Sequence, residues 1–191
     1  MIRTIFLAPP GAGKGTQAKK LAEATGAIHV STGDALRLAV EQKTSAGLEA
    51  KKYMDLGDLV PDEVVLRIVR DSLQKSSKTG WILDGFPRNQ EQAIALDSIL
   101  AELGQNKYCT IYFEVSHSIL IQRISGRFSD LGRSDDDPNI ALNRLEIYKK
   151  QTEPLIKFYN YQKILRDIDG NQSIEFIFTK VKEVIESFDY S

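Results

Sequence analysis

Ile5-Phe-Leu-Ala-Pro-Pro-Gly-Ala-Gly-Lys-Gly-Thr-Gln17 is an apolar run that ends in a glycine-rich loop with a single lysine. A helical pattern begins directly after the loop, over residues 15–25. Glycine has no Cβ, so the loop can bring several backbone N–H groups close to a phosphate, and the helix N-terminus adds more. Lys14 supplies a mobile positive charge for the outer phosphates of a nucleotide. The stretch therefore predicts a phosphate-binding loop between a buried strand and a helix.

We call residues 8–16 the phosphate loop, and it departs from the general template G-x-x-x-x-G-K-[ST] at two positions. Ala8 stands where the template has its first glycine, and the hydroxyl comes one residue late, at Thr16. The alternative interpretation is a tight strand-to-helix turn whose glycines serve only the backbone geometry. We favour the phosphate site because the strand, the lysine and the following helix occur together.

Composition restricts the chain to a few protein classes. Its 191 residues, 42% of them apolar, suit one compact α/β domain with a sizeable core. A net charge of −1 argues against a general polyanion binder, so we expect no nucleic-acid partner. No apolar run approaches the length of a membrane span and no signal peptide is recognisable, so we expect a soluble protein, either cytoplasmic or of an organelle interior. Nothing in the sequence indicates an obligate interface, and we expect a monomer.

Cys109 and His29 are both predicted to be structural. Cys109 lies in an apolar strand pattern, where a buried thiol is a better interpretation than a nucleophile. A single cysteine also excludes an internal disulfide and a cysteine-based zinc site. His29 has no second metal-ligating residue type nearby, which favours a packed or edge histidine over a ligand.

Apolar strand patterns alternate with helical patterns along the whole chain. The predicted strands are residues 2–7, 27–30, 80–84, 108–115 and 164–168. This order predicts a parallel sheet with helices on both faces and ligands at the carboxyl ends of the strands. Asp84 ends the third strand, where a carboxylate is suited to hold Mg²⁺ through water, and a turn cap is the alternative. The irregular polar segments around residues 31–60 and 127–137 fall on the same side, where lids would belong.

These motifs together resemble the adenylate kinase family over essentially the whole chain. The matching segments are residues 10–17, 31–37, 57–63, 83–88 with Gln92, 123–127, and 133–136 with Arg144. Their shared order and spacing make the match specific, and the late hydroxyl of the phosphate loop is this family's own Gly-Lys-Gly-Thr signature. The resemblance implies a three-layer P-loop NTPase fold with a five-stranded parallel sheet, an AMP-binding insert and a short lid. The implied division is a core of residues 1–30, 61–126 and 138–191, the insert at residues 31–60 and the lid at residues 127–137.

The resemblance implies reversible, Mg²⁺-dependent phosphoryl transfer, ATP + AMP ⇌ 2 ADP, in adenine nucleotide homeostasis. The implied catalytic residues are Lys14, Arg88, Arg123, Arg127, Arg133 and Arg144. The implied ATP-binding residues are Gly11, Ala12, Gly13, Lys14, Gly15, Thr16, Arg127 and Gln172. The implied AMP-binding residues are Thr32, Arg37, Asp58, Leu59, Val60, Gly85, Phe86, Pro87, Arg88, Gln92, Arg133 and Arg144. Asp84 would hold Mg²⁺ through water, and because the lid is short and has no cysteine we predict no structural zinc.

The resemblance also gives the arginines separate roles. Arg37 and Arg88 would clamp the AMP phosphate, because a guanidinium fork matches phosphate oxygens. Arg123 and Arg127, four residues apart on one helix face, would point towards ATP and the transferred phosphoryl group. Two further arginines, oriented by two aspartates, would close over that group: Arg133 and Arg144, with Asp135 and Asp136.

Two positions determine the predicted acceptor base. Thr32 and Gln92 match the adenine-specific pattern, whereas the pyrimidine relatives carry Ala and Asn there. A glutamine amide offers both a donor and an acceptor, as an adenine edge requires. Asn89, in contrast, looks like the pyrimidine version. A UMP/CMP kinase is therefore the alternative enzyme, and a catalytically silent nucleotide-binding switch is the alternative from another class.

Overall fold

A sheet of five parallel strands forms the centre of the computed structural model, which describes residues 1–76, 78–131 and 134–190. The strand order is β2-β3-β1-β4-β5, and each neighbouring pair is parallel. The strands are β1 (Arg3–Leu7), β2 (Ile28–Ser31), β3 (Trp81–Asp84), β4 (Cys109–Glu114) and β5 (Leu165–Asp169). The predicted α/β fold with a five-stranded parallel sheet is confirmed.

Helices follow the strands and pack on the sheet. They are α1 (Lys14–Thr25), α2 (Thr32–Glu41), α3 (Ser45–Met54), α4 (Asp62–Lys75), α5 (Gln90–Glu102), α6 (His117–Leu131), α7 (Pro138–Ile147), α8 (Pro154–Tyr161) and α9 (Ile174–Ser187). A 3₁₀ turn at Ser134–Asp136 precedes α7, and a π-helical segment at Tyr148–Thr152 follows it. Over the described ranges, none of the helices is long and apolar enough to cross a membrane.

Side-chain alternation along β3 separates two hydrophobic layers. Trp81 and Leu83 pack on one face of the sheet, in the cluster that contains Tyr159 of α8. Ile82 packs on the other face, in the cluster that contains Val181 of α9. All four residues of β3 are buried, which is typical of a parallel strand covered by helices on both sides. The molecule therefore has the three layers expected from the alternation of strands and helices.

The register of the sheet brings three chain segments to one edge. Asp84, the last residue of β3, pairs with Phe6 of β1 on one side and with Ser31 of β2 on the other. The phosphate loop follows β1, and α2 begins at Thr32, directly after β2. Because parallel strands end at the same edge of a sheet, the loop, the carboxylate and the start of α2 meet there.

Helix α6 is longer than the sequence pattern predicts. The pattern predicts a break at Gly126, but the helix continues through this glycine to Leu131. Glycine inside a helix costs only about 1 kcal/mol relative to alanine, an amount that its neighbours readily offset. The first part of the predicted lid is therefore helical, and residues 132 and 133 lie outside the described ranges.

A π-helical turn occurs where the sequence predicts a bend near Pro154. The N–H of Glu153 donates to the carbonyl oxygen of Tyr148, five residues earlier, at 2.8 Å. Proline has no N–H and its ring crowds the preceding turn, so the helix widens before it. The wide turn contains Thr152, which is buried and lines the main cavity of the protein.

Candidate active site

Two adjoining cavities open where β1, β2 and β3 end. The larger has a volume of about 320 Å³ and is bounded by the phosphate loop, and the smaller has a volume of about 50 Å³ and lies against α2 and α4. Arg37, Arg88 and Arg144 line both, so the two cavities form one continuous site. The arrangement offers room for phosphates between a loop rich in N–H groups and a set of arginines.

Most of the predicted binding residues line these cavities. The larger contains seven of the predicted ATP residues: Gly11, Ala12, Gly13, Lys14, Gly15, Thr16 and Arg127. Eight of the predicted AMP residues line the smaller: Thr32, Arg37, Asp58, Leu59, Val60, Arg88, Gln92 and Arg144. Gly85 and Pro87 line the larger cavity, whereas Phe86 is buried in the core and joined to Pro87 by a cis peptide bond. Arg133 lies outside the described residues.

The backbone of the phosphate loop requires glycine at two positions. Gly11 and Gly13 have φ values of 85° and 90°, in the left-handed region that favours glycine. A Cβ at Gly11 would also lie 2.7 Å from Cγ1 of Ile124 and 3.0 Å from the carbonyl oxygen of Leu120, both in α6. The loop is therefore packed tightly between the sheet and α6, and α1 begins with Lys14 directly after it.

Ala8 causes no backbone strain, although it departs from the phosphate-loop template. Over the described chain, the non-glycine residues with positive φ are Lys43 and Lys163, so Ala8 keeps an ordinary backbone conformation. Its methyl group is buried in the core layer that includes Ala12. Its carbonyl oxygen accepts a hydrogen bond from Nζ of Lys14 at 2.7 Å. The template glycine is thus not needed for the geometry at this position.

Lys14 is folded into the loop that it follows. Its Nζ donates to the carbonyl oxygens of Ala8 and Pro9, at 2.7 and 3.2 Å. Burial lowers the pKa of Lys14 to about 8, although the charge of Asp84 works in the opposite direction. Nearby Arg88 lowers it further. A bound phosphate would place a negative charge beside this ammonium group, whose hydrogen-bond partners are neutral carbonyl oxygens.

Asp84 is placed to act at the phosphate loop. A Cβ at Gly15 would lie 3.3 Å from Oδ2 of Asp84, so the carboxylate touches the start of α1. The same oxygen lies 3.3 Å from Nε2 of His29, which is therefore an edge-strand histidine with a specific partner. Within the described ranges, no group of three or more His, Cys, Asp or Glu side chains could hold a metal ion. Asp84 and Thr16 both line the larger cavity, and one carboxylate with one hydroxyl fits Mg²⁺ that keeps its waters and arrives with bound phosphates.

Three hydrogen bonds fix the position of Arg88. Its Nε donates to the carbonyl oxygen of Gly85 at 2.9 Å, and its backbone N–H donates to Oε1 of Gln92 at 2.7 Å. Its carbonyl oxygen accepts from the Thr152 hydroxyl at 2.7 Å, a partner that the sequence reasoning missed. Burial lowers the pKa of Arg88 to about 10, and the neighbouring charge of Arg144 lowers it further.

Two buried aspartates hold the arginines on the lid side. Asp136 accepts a two-pronged pair from Arg127, with Nε at 2.5 Å and Nη2 at 2.6 Å. Nη1 of Arg144 lies 3.0 Å from Oδ2 of Asp135 and 3.1 Å from Oδ1 of Asp136. Burial acts to lower the pKa of Arg127, but the hydrogen bonds and charge of Asp136 outweigh it and raise this pKa. For Arg144, burial prevails over both aspartates and lowers the pKa.

Besides the buried Phe86, two predicted residues do not reach the described cavities. Arg123 donates from Nη1 to the carbonyl oxygens of Ala12 and Gly170, at 3.3 and 3.0 Å, so it joins the phosphate loop to the turn after β5. Gln172 lies in that turn and donates from Nε2 to Oδ2 of Asp169 at 2.7 Å. Neither side chain lines the two cavities.

Asn89 has a structural use that explains its pyrimidine-like identity. Its Oδ1 accepts from the backbone N–H of Gln92 at 2.7 Å and caps the N-terminus of α5. Its Nδ2 lies 3.4 Å from Oδ1 of Asp62. Asn89 lines neither cavity, whereas Thr32 and Gln92 line the smaller one. Asn89 is therefore no argument against the adenine preference predicted from Thr32 and Gln92.

We predict that ATP affinity falls at high pH because of Lys14. Its pKa is about 8, and bound phosphates favour the charged form, so binding above this pH requires the uptake of a proton. Affinity should therefore fall by up to about tenfold per pH unit above about pH 8. Equilibrium titration with ATP from about pH 7 to about pH 9.5 measures this slope.

Lys14→Arg is the matched control for this titration, because a guanidinium group keeps its charge over the same range. Its affinity should be lower overall, since the longer and wider group does not fit between the loop carbonyls, but it should not depend on pH. An equal slope in wild type and variant would contradict the assignment of the titration to Lys14.

Known proteins of one family are similar to this chain over most of its length. Residues 6–164 match the family model described as adenylate kinase. An adenylate kinase of Synechococcus sp. (strain JA-2-3B'a(2-13)) is 47% identical over 189 residues, covering 98% of each chain. An adenylate kinase of Leptospira biflexa is 50% identical over 178 residues, covering 93% of this chain and 96% of its own. An adenylate kinase of Geobacillus sp. (strain WCH70) is 42% identical and covers 95% of this chain. The chain therefore belongs to the adenylate kinase family.

Proposed function

We propose that the chain catalyses the reversible, Mg²⁺-dependent reaction ATP + AMP ⇌ 2 ADP in its two joined cavities. ATP phosphates would occupy the phosphate loop, and AMP would bind with its phosphate where the two cavities meet and its base towards the smaller one, between α2 and α4. The observation that carries this proposal is the position of Arg88, which lines both cavities at their junction. A phosphoryl group passing from one nucleotide to the other must cross this junction.

Positioning and charge neutralisation supply the rate in this proposal. The transferred phosphoryl group spreads negative charge over its oxygens, and fixed cations at those oxygens lower the barrier without needing to reorganise. Lys14 would follow the phosphoryl group from the ATP side, and Arg144 would face it from the lid side. Both are half-buried, and their charges act more strongly there than in water.

Arg37 and Arg88 would hold the phosphate of AMP. Arg37 contacts carboxylates on two sides, with Nη2 at 2.6 Å from Oδ1 of Asp34 and Nη1 at 3.4 Å from Oδ2 of Asp135. A phosphate can replace such a carboxylate, since both accept from a guanidinium fork. Arg88 is already fixed by its backbone and Nε bonds, which reduces the entropy lost when AMP binds.

Asp84 and Thr16 would hold Mg²⁺ together with water and the ATP phosphates. When bound, the ion neutralises phosphate charge and orients the outer phosphates for in-line transfer. Arg123, which joins the phosphate loop to the turn after β5, would face the ATP phosphates and the transferred phosphoryl group, and Gln172 in that turn would border the base of ATP. We also propose that the chain acts as a cytoplasmic monomer.

The alternative functions have less support. A UMP/CMP kinase would need a pyrimidine-type pocket, whereas Thr32 and Gln92 line this one and Asn89 is used as a helix cap. A silent nucleotide-binding switch would not need a second, arginine-lined cavity beside the phosphate loop. The names of the similar proteins favour neither alternative.

An acceptor panel tests the proposed reaction. Phosphoryl transfer from Mg-ATP to AMP, GMP, UMP and CMP is measured through ADP formation in a coupled assay. AMP should exceed each of the others in kcat/KM by about a hundredfold or more, because buried polar groups that read adenine are left unpaired by another base. Turnover with UMP or CMP and none with AMP would indicate a pyrimidine kinase. Binding of ATP and AMP without turnover would indicate a switch.

We predict that Arg88→Ala lowers kcat/KM for AMP by about a thousandfold, as expected for an arginine that meets developing phosphoryl charge. Its effect on the free energy of unfolding should be small, because removing a buried cation also removes its cost of desolvation. Arg88→Lys is the matched control: it keeps the charge but not the fork, and its activity should be intermediate. Thermal unfolding measures the stability of each variant. Near-normal activity of Arg88→Ala would contradict the assigned role.

A further inference from the structure

We propose that Asp62 fixes the orientation of the Gln92 amide and thereby determines the preference of the acceptor site for adenine over guanine. This inference rests on the proposed function, because it concerns the acceptor site of the same reaction. Asp62 is the first residue of α4 and lines neither of the described cavities, so it acts as a positioning residue through Gln92.

The Gln92 amide is held at both of its ends. Gln92 is only 1% exposed, and it lines the smaller cavity. Its Oε1 accepts from the backbone N–H of Arg88 at 2.7 Å, and its Nε2 donates to Oδ1 of Asp62 at 2.7 Å. The oxygen thus faces a donor that cannot accept, and the nitrogen faces a carboxylate that cannot donate. Only one of the two amide orientations satisfies both contacts.

The hydrogen-bonding sites that remain on the Gln92 amide match those of adenine. An amide has two acceptor sites and two N–H donors, so one of each is left after the contacts with Arg88 and Asp62. The Watson–Crick edge of adenine presents an N6 amino donor and an N1 acceptor, which suit this remaining acceptor and donor. Guanine presents the opposite order, an O6 acceptor and an N1–H donor, and would require the reversed amide.

Asp62 makes the stronger of the two contacts that prevent this reversal. A reversed amide would bring Oε1 against the Asp62 carboxylate, so that two acceptors would face each other. It would also bring Nε2 against the Arg88 N–H, so that two donors would face each other. The contact with the carboxylate is charge-assisted, which makes it about twice as strong as a neutral hydrogen bond. Asp62 therefore carries the larger part of the preference for one orientation.

The carboxylate of Asp62 is itself held in place. Nδ2 of Asn89 lies 3.4 Å from its Oδ1 and 3.5 Å from its Oδ2, while Oδ1 of Asn89 is bound to the backbone N–H of Gln92. Asp62 thus faces two amides from the start of α5, which join α4 to α5 beside the base pocket. The three side chains form one connected network, and its cavity-facing member is Gln92.

The test compares AMP with GMP as phosphoryl acceptors for wild type and Asp62→Ala. In Asp62→Ala, KM for AMP should rise about tenfold, because one charge-assisted hydrogen bond no longer orients the Gln92 amide. The AMP:GMP ratio, which is kcat/KM with AMP divided by kcat/KM with GMP, should fall by about tenfold for the same reason. KM for ATP and kcat with AMP should stay close to wild type. An unchanged KM for ATP also shows that the variant is folded, because the phosphate loop lies in the other half of the site.

Two further variants make the result specific. Asp62→Asn replaces the carboxylate with an amide of similar shape, whose NH2 group can donate to Oε1 of a reversed Gln92 amide, so the AMP:GMP ratio should narrow as it does in Asp62→Ala. Glu63→Ala removes the neighbouring carboxylate from the same helix end, where it is exposed, and should leave both KM for AMP and the ratio unchanged. This control separates the contact with Gln92 from a general effect of charge at the N-terminus of α4.

The outcomes distinguish this inference from the proposed function. If the wild-type chain does not phosphorylate AMP, the proposed function fails. If it does, and Asp62→Ala keeps the wild-type KM for AMP and AMP:GMP ratio, the inference alone is overturned. An Asp62→Asn variant that keeps the wild-type AMP:GMP ratio would also overturn it, because its amide can pair with either orientation of Gln92.

Discussion

Burial of several positive charges in one cavity is the constraint on which the rest of this structure depends. The pKa of Lys14 is lowered to about 8 and that of Arg88 to about 10, because burial removes water from both cations. The charge of Arg144 lowers both further, and the charge of Asp84 partly offsets these effects. An arrangement of this kind costs free energy in the folded chain, and a ligand with several negative charges relieves it. The charge pattern therefore favours ligands with several phosphate groups, independently of the base that they carry.

The parallel sheet makes this concentration of charge possible. Because β1, β2 and β3 end at one edge, the phosphate loop, Asp84 and the start of α2 meet without any long irregular segment. Arg88 and Lys14 are then fixed by hydrogen bonds that involve the backbone: Arg88 through Gly85 and Thr152, and Lys14 through the loop carbonyls. Rigid elements thus supply the positioning, and the side chains supply the charge.

The parts of the fold and site that depend on local pattern could be predicted from the sequence. Strand periodicity, the glycines of the phosphate loop and a carboxylate at the end of β3 are all signals within a few residues. The contacts that orient the site could not, because they join distant segments: Asp62 and Gln92 are 30 residues apart, and Thr152 and Arg88 are 64 apart. These pairs depend on how helices pack, which no short stretch encodes. The continuation of α6 past Gly126 was missed because glycine only weakens a helix.

The most direct test of the central claim is a crystal structure with a bisubstrate analogue in which two adenosines are joined by a chain of phosphates. The phosphates should run from the phosphate loop, beside Lys14, to Arg88, with one adenine against Gln92. A structure in which the analogue occupies only the phosphate loop, with its second adenosine outside the cavity lined by Arg88 and Gln92, would contradict it.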